Sequence, residues 1–479
     1  MKGYLTVWLA LCLTLIVSLF VVLMDGARRN GGALEAECVA ETGLQSIMAE
    51  YHRELLKQYN IFAIDISYGT AQCGKGNVEQ HLKRYLEKNL FREDIFLADF
   101  FYRDFFALSL GKAELKGVSF LTDGGGAVFR RAAVDAIKND VGLGLLKELQ
   151  DWMRVIEVNG LEEKNAEEEK GRLDDRIESY NDRYIEVEKD QWEKFEVINP
   201  TDALKEKRSL GILKLVLGGE AQLSQETLRT EALIMNRMQQ GVINQGNLEP
   251  VRLSEAEGLT ERFLFQEYLL KYMGRYDRGK SDAVLRYQTE YLVAGKDSDI
   301  ENLRSVAGRI CAIREAANLL YLLGDEEKRT AVEGVSELAC SLVMVPELAP
   351  ILELTVFMGW AFAESVYDVK SILGGGRIPL IKDDDSWHYG LTAALWGSLE
   401  EETKAGEGLS YADYLRIFMM LTDLDTLTGR AMNMVEADIR ATAGNSAFRL
   451  DGCCVAVEAD ILIESKYGYR YEIKRRRSY

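Results

Sequence analysis

The spacing of apolar and polar residues changes repeatedly along this chain, and each change predicts an element. From Tyr4 to Met24 the chain carries no charged residue. At about 1.5 Å per residue, such a run crosses a bilayer core of roughly 30 Å. It exceeds the roughly 7–15-residue apolar centre of a cleavable secretory signal, and no convincing small-x-small site follows. It therefore predicts a retained transmembrane helix. Beyond it, Leu34, Cys38, Met48, Tyr51, Leu55 and Tyr59 recur near the helical period, extending a stalk helix to Tyr59. Gly26, Gly31 and Gly32 predict a bend in that stalk at the membrane surface. The period then becomes two. Phe62, Ile64, Ile66 and Tyr68 alternate with the residues between them, which predicts a strand.

Residues 77–106 read as helical and aromatic, with Phe96, Phe100, Phe101, Tyr102, Phe105 and Phe106. A second strand over 112–121 closes on Asp123-Gly124-Gly125-Gly126, ahead of a helical stretch from Ala127 to Val134. A glycine run before a helix would suit an anion cradle. No Gly-x-Gly-x-x-Gly unit with a downstream acid accompanies it, so a plain turn is the preferred reading. Residues 157–196 are the most charged part, with thin apolar positions such as Leu173, Tyr184 and Trp192. They predict an exposed helical arm or hairpin that Pro200 ends. Residues 221–254 read as a polar helix followed by a loop around Asn244-Gln245-Gly246.

From about 261 to 440 the pattern is helical. Leu303, Val306, Ile310, Ile313, Ala317 and Leu320 form one stripe, and Ser410-Tyr411-Ala412-Asp413 reads as a capping box. The apolar stretch from Leu348 to Ala363, preceded by Pro346 and interrupted by Glu353, predicts a buried core helix rather than a second span. The alternation returns at Cys453–Ile463 and again at Tyr469–Ile473, giving a β-hairpin with one apolar face. Two strands alone are marginal, so the strands near 61–68 and 112–121 are its expected partners. The fold class is α+β, with an N-terminal transmembrane and stalk helix, a small antiparallel sheet from both chain ends, and a large helical insertion. The expected organisation is 1–3 cytoplasmic end, 4–24 transmembrane helix, 25–59 stalk, 60–122 membrane-proximal α/β part, 123–200 charged arm, 201–440 helical domain and 441–479 hairpin.

Charge orients the anchor. The amino terminus and Lys2 lie on the short side, while on the other side Asp25, Glu35, Glu37 and Glu41 outnumber Arg28 and Arg29. Positive charge stays cytoplasmic, which places the bulk of the chain outside. The net charge of −19 argues against a nucleic-acid partner. The basic run Lys474–Arg477 reads as a solvated end, with contact to anionic lipid or wall polymer as the sharper alternative. Cys38, Cys73, Cys311, Cys340, Cys453 and Cys454 show no metal-type spacing and are too sparse for a disulfide scaffold. Adjacent in a strand, Cys453 and Cys454 point to opposite faces. The three histidines, His52, His81 and His388, sit in no metal or nucleophile motif. No cofactor or metal is expected.

Two resemblances add to this reading. The opening Gly3-Tyr4-Leu5-Thr6-Val7-Trp8, followed by the anchor and Ala33-Leu34-Glu35-Ala36-Glu37, resembles the pseudopilin-like, TadE- and TadG-like proteins of tight-adherence (Tad, Flp-type) pilus systems. The order of apolar helix, stalk and strand is also that of pilin-like proteins. The resemblance implies prepilin-peptidase cleavage between Gly3 and Tyr4. This chain departs from it at Trp8, where pilins carry glutamate. Residues 281–440 resemble an uncharacterised Gram-positive bacterial family, a domain of unknown function found with such pilus genes. The likeness lies in Tyr287–Lys296, Asn302-Leu303, Arg314–Asn318, Trp360–Glu364 with Asp368, and Leu409–Arg416. Its polar positions, Glu290, Lys296, Asn302, Arg314, Asn318, Trp360, Glu364 and Asp368, form the candidate cluster that this resemblance implies.

Glu364 and Asp368 lie four residues apart on one helix face, where paired carboxylates do acid/base work or hold a cation. The preferred reading is a buried polar network tying helices together, with Arg314 or Lys296 as counter-charge. Asp383-Asp384-Asp385 lacks calcium-loop spacing and reads as a solvated turn. The expected function is a non-catalytic accessory or minor pseudopilin-like part of a Tad-type pilus or secretion apparatus. Its partners would be the lipid bilayer, through residues 4–24, and other proteins of that apparatus. The alternatives are a cell-envelope enzyme using Glu364 and Asp368, or a ligand-sensing ectodomain whose small molecule the sequence does not identify.

Overall fold

The structure, a computed structural model, describes residues 2–70, 74–90, 105–140, 144–161, 184–188, 191–194, 211–248, 255–343, 349–396 and 406–479. The expectations for Phe96, Phe100, Phe101 and Tyr102, for Cys73, for Leu173, and for Pro200 and Pro346 lie outside the described residues. The architecture is α+β. Its described strands are β1 Ile64–Asp65, β2 Leu108–Phe120, β3 Tyr184–Glu188, β4 Gln191–Lys194, β5 Cys453–Ser465 and β6 Arg470–Ser478. The chain divides into two units. One combines Met1–Ala136, Ala232–Leu253 and Val435–Tyr479; the other combines Ile137–Glu231 and Ser254–Met434.

In the first unit, β5 is the central strand. It pairs antiparallel with β2 on one side (Val118 opposite Val457, Ala113 opposite Ile461) and with β6 on the other (Ile461 opposite Ile473). β1 continues the β6 side, with Ile64 opposite Cys454. The terminal hairpin therefore joins both early strands, as its apolar face requires. β1 is only two residues long because the chain turns at once: the Asp65 carboxylate accepts the Ser67 N–H at 2.9 Å, and Tyr68 takes φ +50°. Both Cys453 and Cys454 are buried thiols, Cys453 donating to the Arg449 carbonyl at 3.7 Å and Cys454 to the Ala456 carbonyl at 3.2 Å.

Helix α1 spans Lys2–Met48. Its most apolar window has mean hydropathy 2.8 and is wholly exposed, long and apolar enough to cross a membrane; a signal sequence has the same character. Its distal part is no free stalk. Ala36, Val39, Ala40, Leu44 and Ile47 are core residues packed with Val78, Leu82 and Leu86 of helix Lys75–Leu90 and with the inner face of the sheet. Helix α1 runs through all three glycines without a break, and two of them, Gly31 and Gly32, serve close approach. A Cβ on Gly31 would meet the Phe106 ring at 2.5 Å, and one on Gly32 the Tyr471 hydroxyl at 2.6 Å. Nor does the helix reach Tyr59. A separate helix, Arg53–Tyr59, begins after His52, whose Nδ1 accepts the Leu55 N–H at 3.2 Å. Phe105 and Phe106 are likewise not helical.

β6 climbs beside α1. The Tyr469 hydroxyl meets Asp25, the Tyr471 hydroxyl donates to the Arg29 carbonyl at 3.1 Å, and Arg475 lies 3.6 Å from Glu37. Arg477 then meets Glu41, and the Tyr479 hydroxyl reaches the Met48 carbonyl. The rises agree: the ten steps from Tyr469 to Tyr479 at about 3.3 Å each cover nearly the same length as the helix from Asp25 to Met48 at about 1.5 Å per residue. Part of the basic run is thereby paired with acids of α1 while remaining exposed to solvent.

The glycine run after β2 is a turn. Gly124, Gly125 and Gly126 all have positive φ, and the Thr122 carbonyl accepts the Gly126 N–H. Asp123 ties this turn to the loop that follows Gln240, accepting the Phe120 and Gly246 N–H groups, each at 2.8 Å. Asn247 then pairs with the edge of β2, accepting the Val118 N–H at 2.9 Å and donating to the Lys116 carbonyl at 2.6 Å.

The second unit is mainly helical, with β3 and β4 as a two-stranded hairpin in the charged region. Its described helices include Glu255–Tyr272, Gln288–Ala294, Asp299–Gly324, Glu326–Val343, Ala349–Leu373 and Tyr411–Leu421. Helix Ala349–Leu373 is a core helix burying Phe357, Trp360, Ala361 and Val366. The predicted stripe on Asp299–Gly324 is buried except for Leu320, which is 42% exposed. The capping box forms, with Asp413 accepting the Ser410 N–H at 2.9 Å.

Candidate functional site

Helix Ala349–Leu373 carries Trp360, Glu364, Ser365 and Asp368 along one side because residues three and four apart share a face. Helix Asp299–Gly324 presents Arg314 and Asn318 by the same spacing. Arg314, Glu364 and Asp368 have no solvent exposure, and Asn318 almost none. Arg314 Nε donates to Asp368 Oδ2 at 2.9 Å, and Asn318 Nδ2 donates to the same oxygen at 2.9 Å. The other arm of Arg314 donates to the carbonyls of Pro379 and Leu380 at 2.7 and 2.8 Å, so the guanidinium also holds the following loop.

That loop supplies the second cation. Lys382 Nζ lies 2.6 Å from Asp368 Oδ1 and also pairs with Glu364. The two Glu364 oxygens accept the backbone N–H groups of His388 (2.9 Å) and Tyr389 (2.8 Å). Trp360 Nε1 and Trp387 Nε1 both donate to the Tyr389 carbonyl, at 2.7 and 2.8 Å. Tyr367 stacks on His388 with centroids 3.8 Å apart, and Trp387 lies edge-on to Trp360. The cluster thus holds two cations and two carboxylates inside an aromatic wall. Burial works against charge at Asp368, but Arg314 and then Lys382 overcome it and hold the carboxyl below its usual range. Burial likewise opposes the Arg314 charge, and Asp368 reverses the effect and raises its pKa.

Of the eight predicted polar residues, the structure brings together Arg314, Asn318, Trp360, Glu364 and Asp368. Lys296, the alternative counter-charge, is elsewhere. Its N–H donates to Asn302 Oδ1 at 2.8 Å and its carbonyl accepts from Asn302 Nδ2 at 2.9 Å, so these two residues close a turn. Gly295, at φ +67°, starts that turn. Glu290 forms a separate centre. It is fully buried, and its Oε1 accepts the Tyr411 hydroxyl at 2.6 Å and the Tyr276 N–H at 2.7 Å. Burial pushes its pKa up to about 7, against the opposing Tyr411 hydrogen bond. Asp384 is exposed, pairing with Tyr321 at 2.7 Å and Lys328 at 2.5 Å, while Asp383 bonds Ser386 within its own turn.

Sequence reasoning missed Lys382. Its signal is a lone lysine closing the apolar run Ile378-Pro379-Leu380-Ile381, where a charge is buried only if paired. A cluster in the first unit was missed too. The buried Glu436 accepts from Arg237 at 2.7 and 2.8 Å, from Arg440 at 2.7 Å and from the Leu450 N–H at 2.9 Å. Asp451 accepts from Arg237 at 2.8 Å and Arg449 at 2.7 Å, and burial, which would raise its pKa, is outweighed by these two arginines. Among the described residues no group of His, Cys, Asp and Glu side chains is arranged to hold a metal ion.

Both clusters fall inside one stretch that matches a known family model, residues 190–465. The chain belongs to DUF5702, a family of unknown function. The DUF5702 match is wider than the 281–440 expected, taking in the Arg237, Glu436 and Asp451 network and all of β5. It brings no link to tight-adherence pili, and Gly3 and Tyr4 of the pseudopilin resemblance lie outside it. No curated protein and no solved structure matches the chain.

Proposed function

We propose that this DUF5702 chain is a membrane-anchored, non-catalytic structural component of a Tad-type pilus or secretion apparatus, with residues 25–479 outside the cytoplasm. The observation that carries the reading is the continuity of α1. One helix passes from the exposed apolar run into the core of the sheet, so that pull or insertion at residues 4–24 acts directly on the folded unit. The chemistry at Glu364 and Asp368 supports a structural role: each carboxylate is enclosed and already matched by Lys382, Arg314 or backbone donors.

The test is co-expression of the full chain with a prepilin peptidase and the pilus motor from the same genome. The expected result is a mature chain beginning at Tyr4, cleavage lost in Gly3→Leu, and cross-links to other pilus proteins. A reporter fused after Tyr479 should be active outside the cytoplasm. Cytoplasmic activity of that fusion, or no cross-link to any pilus protein, overturns the reading.

A further inference from the structure

Arg28 and Arg29 are an anomaly for the anchor, because cations beside a span favour the cytoplasmic side. The first unit shows where they go. The β5–β6 turn lies at the end of α1 where the apolar run stops, fixed there by the Tyr469–Asp25 and Tyr471–Arg29 contacts. Arg28 is held between two aromatic rings, its guanidinium carbon 4.2 Å from the Tyr467 centroid and 5.0 Å from that of Phe105. Its Nε is buried with no hydrogen-bond partner. Tyr467 and Phe105 are themselves 45% and 36% exposed. Lys466 and Arg470 extend outward on either side of the turn, Arg470 paired at 3.0 Å with Glu464. The nearby acids are Asp25, taken by Tyr469, and Glu464, so the cations Arg28, Arg29, Lys466 and Arg470 outnumber them. A bilayer's polar layer adds several ångströms beyond its apolar core, which is the depth of residues 25–29. Exposed aromatic rings beside cations at that depth have the composition of a membrane-interface contact.

We propose that this foot, built by Arg28, Arg29, Phe105, Lys466, Tyr467 and Arg470, binds anionic phospholipid headgroups on the outer face of the membrane. The proposal rests on the reading of Tyr4–Met24 as a retained span. The lipid phosphate is the ligand, Arg28, Arg29 and Lys466 supply charge, and Tyr467 and Phe105 sit at the level of the glycerol backbone. The surface seats the ectodomain against the bilayer at a fixed tilt, using cations that would otherwise weaken the orientation signal.

The full chain is reconstituted in nanodiscs of phosphatidylcholine alone or with about one third phosphatidylglycerol, with benzoylphenylalanine in place of Tyr467. Irradiation should cross-link lipid, with phosphatidylglycerol recovered several-fold above its share. The unmodified chain should melt roughly 2–4 °C higher in the anionic discs, and K466Q/R470Q should abolish that difference. Cross-linking in proportion to composition, or melting independent of phosphatidylglycerol, overturns the proposal while leaving the anchor intact. Carbonate extraction reports the anchor separately. A chain released by carbonate overturns the span, and the headgroup site with it.

Discussion

Lys382 Nζ lies 2.6 Å from Asp368 Oδ1, and neither side chain is exposed to solvent. A buried pair of this kind gains little over an apolar filling, yet breaking it leaves a charge with nowhere to go. Asp368→Asn should therefore cost about 3–5 kcal/mol, because Arg314 loses its carboxylate and Lys382 one of its two. Glu364→Gln/Lys382→Met removes one charge of each sign and leaves the Arg314–Asp368 pair. It should cost less than the sum of its single substitutions, with a coupling of about 0.5–3 kcal/mol. Chemical denaturation of the four proteins in this cycle measures the term; additive losses would show that Glu364 and Lys382 do not act as a pair.

Glu290 gives the helical unit a pH dependence of known sign. Its folded pKa, raised by burial to about 7, lies above the ordinary 4.5. The neutral acid is favoured in the fold, so its stabilisation is complete below about pH 4.5 and is lost as pH rises through about 7. The loss is on the order of 3 kcal/mol. Glu290→Gln keeps an acceptor for Tyr276 and Tyr411 and cannot ionise. Its melting temperature relative to the parent should climb between pH 5 and pH 8. A difference that stays constant with pH would place the titration elsewhere.

Gly32→Ala reports how closely β6 approaches α1. Alanine normally stabilises a helix by about 1 kcal/mol over glycine. At Gly32 the new Cβ meets the Tyr471 hydroxyl at 2.6 Å, so the change should destabilise; at Gly26, where nothing lies within 4 Å, the ordinary gain should appear. Opposite signs in thermal melts of the two variants are the expected result. A gain at both would mean that the hairpin does not rest on the helix at that level.

Arg237→Ala should cost about 3–5 kcal/mol, since it removes donors from the buried Glu436 and Asp451 together. Arg237→Lys should recover only part of this, because an ammonium cannot reach both carboxylates with a guanidinium's fork. Urea unfolding of the two variants decides it. Equal stability of Arg237→Lys and the parent would remove the fork from the account.

The elements that alternate or repeat strongly were legible in the sequence. The 453–473 alternation leads to β5 and β6, and the i, i+4 spacing of Glu364 and Asp368 leads to half of the buried cluster. What the sequence leaves dark is closure between distant segments. Lys382 completes the cluster from a loop whose local pattern is apolar, and Arg237 reaches Glu436 and Asp451 from a separate stretch of chain. The glycines of α1 read as breakers because propensity is local, whereas Phe106 and Tyr471, which require them, lie far away in sequence. Helix ends were dark for a similar reason: beyond Met48 the backbone pairs with a later stretch, Tyr51 bridging to Ile64 and the His52 N–H donating to the Ala63 carbonyl at 2.9 Å.

The central position of β5 also imposes an order on synthesis. β1 and β2 emerge early but have no common neighbour until Cys453–Ser465 has left the ribosome, and long-range pairing of this kind is slow to close. The intervening helical unit is complete before then and can fold in the meantime. Until β5 arrives, the edge of β2 and the inner face of α1 lack their main cover and would attract a chaperone or a neighbouring chain. A nascent chain halted before β5 should therefore be protease-sensitive in its first unit and protected in its second.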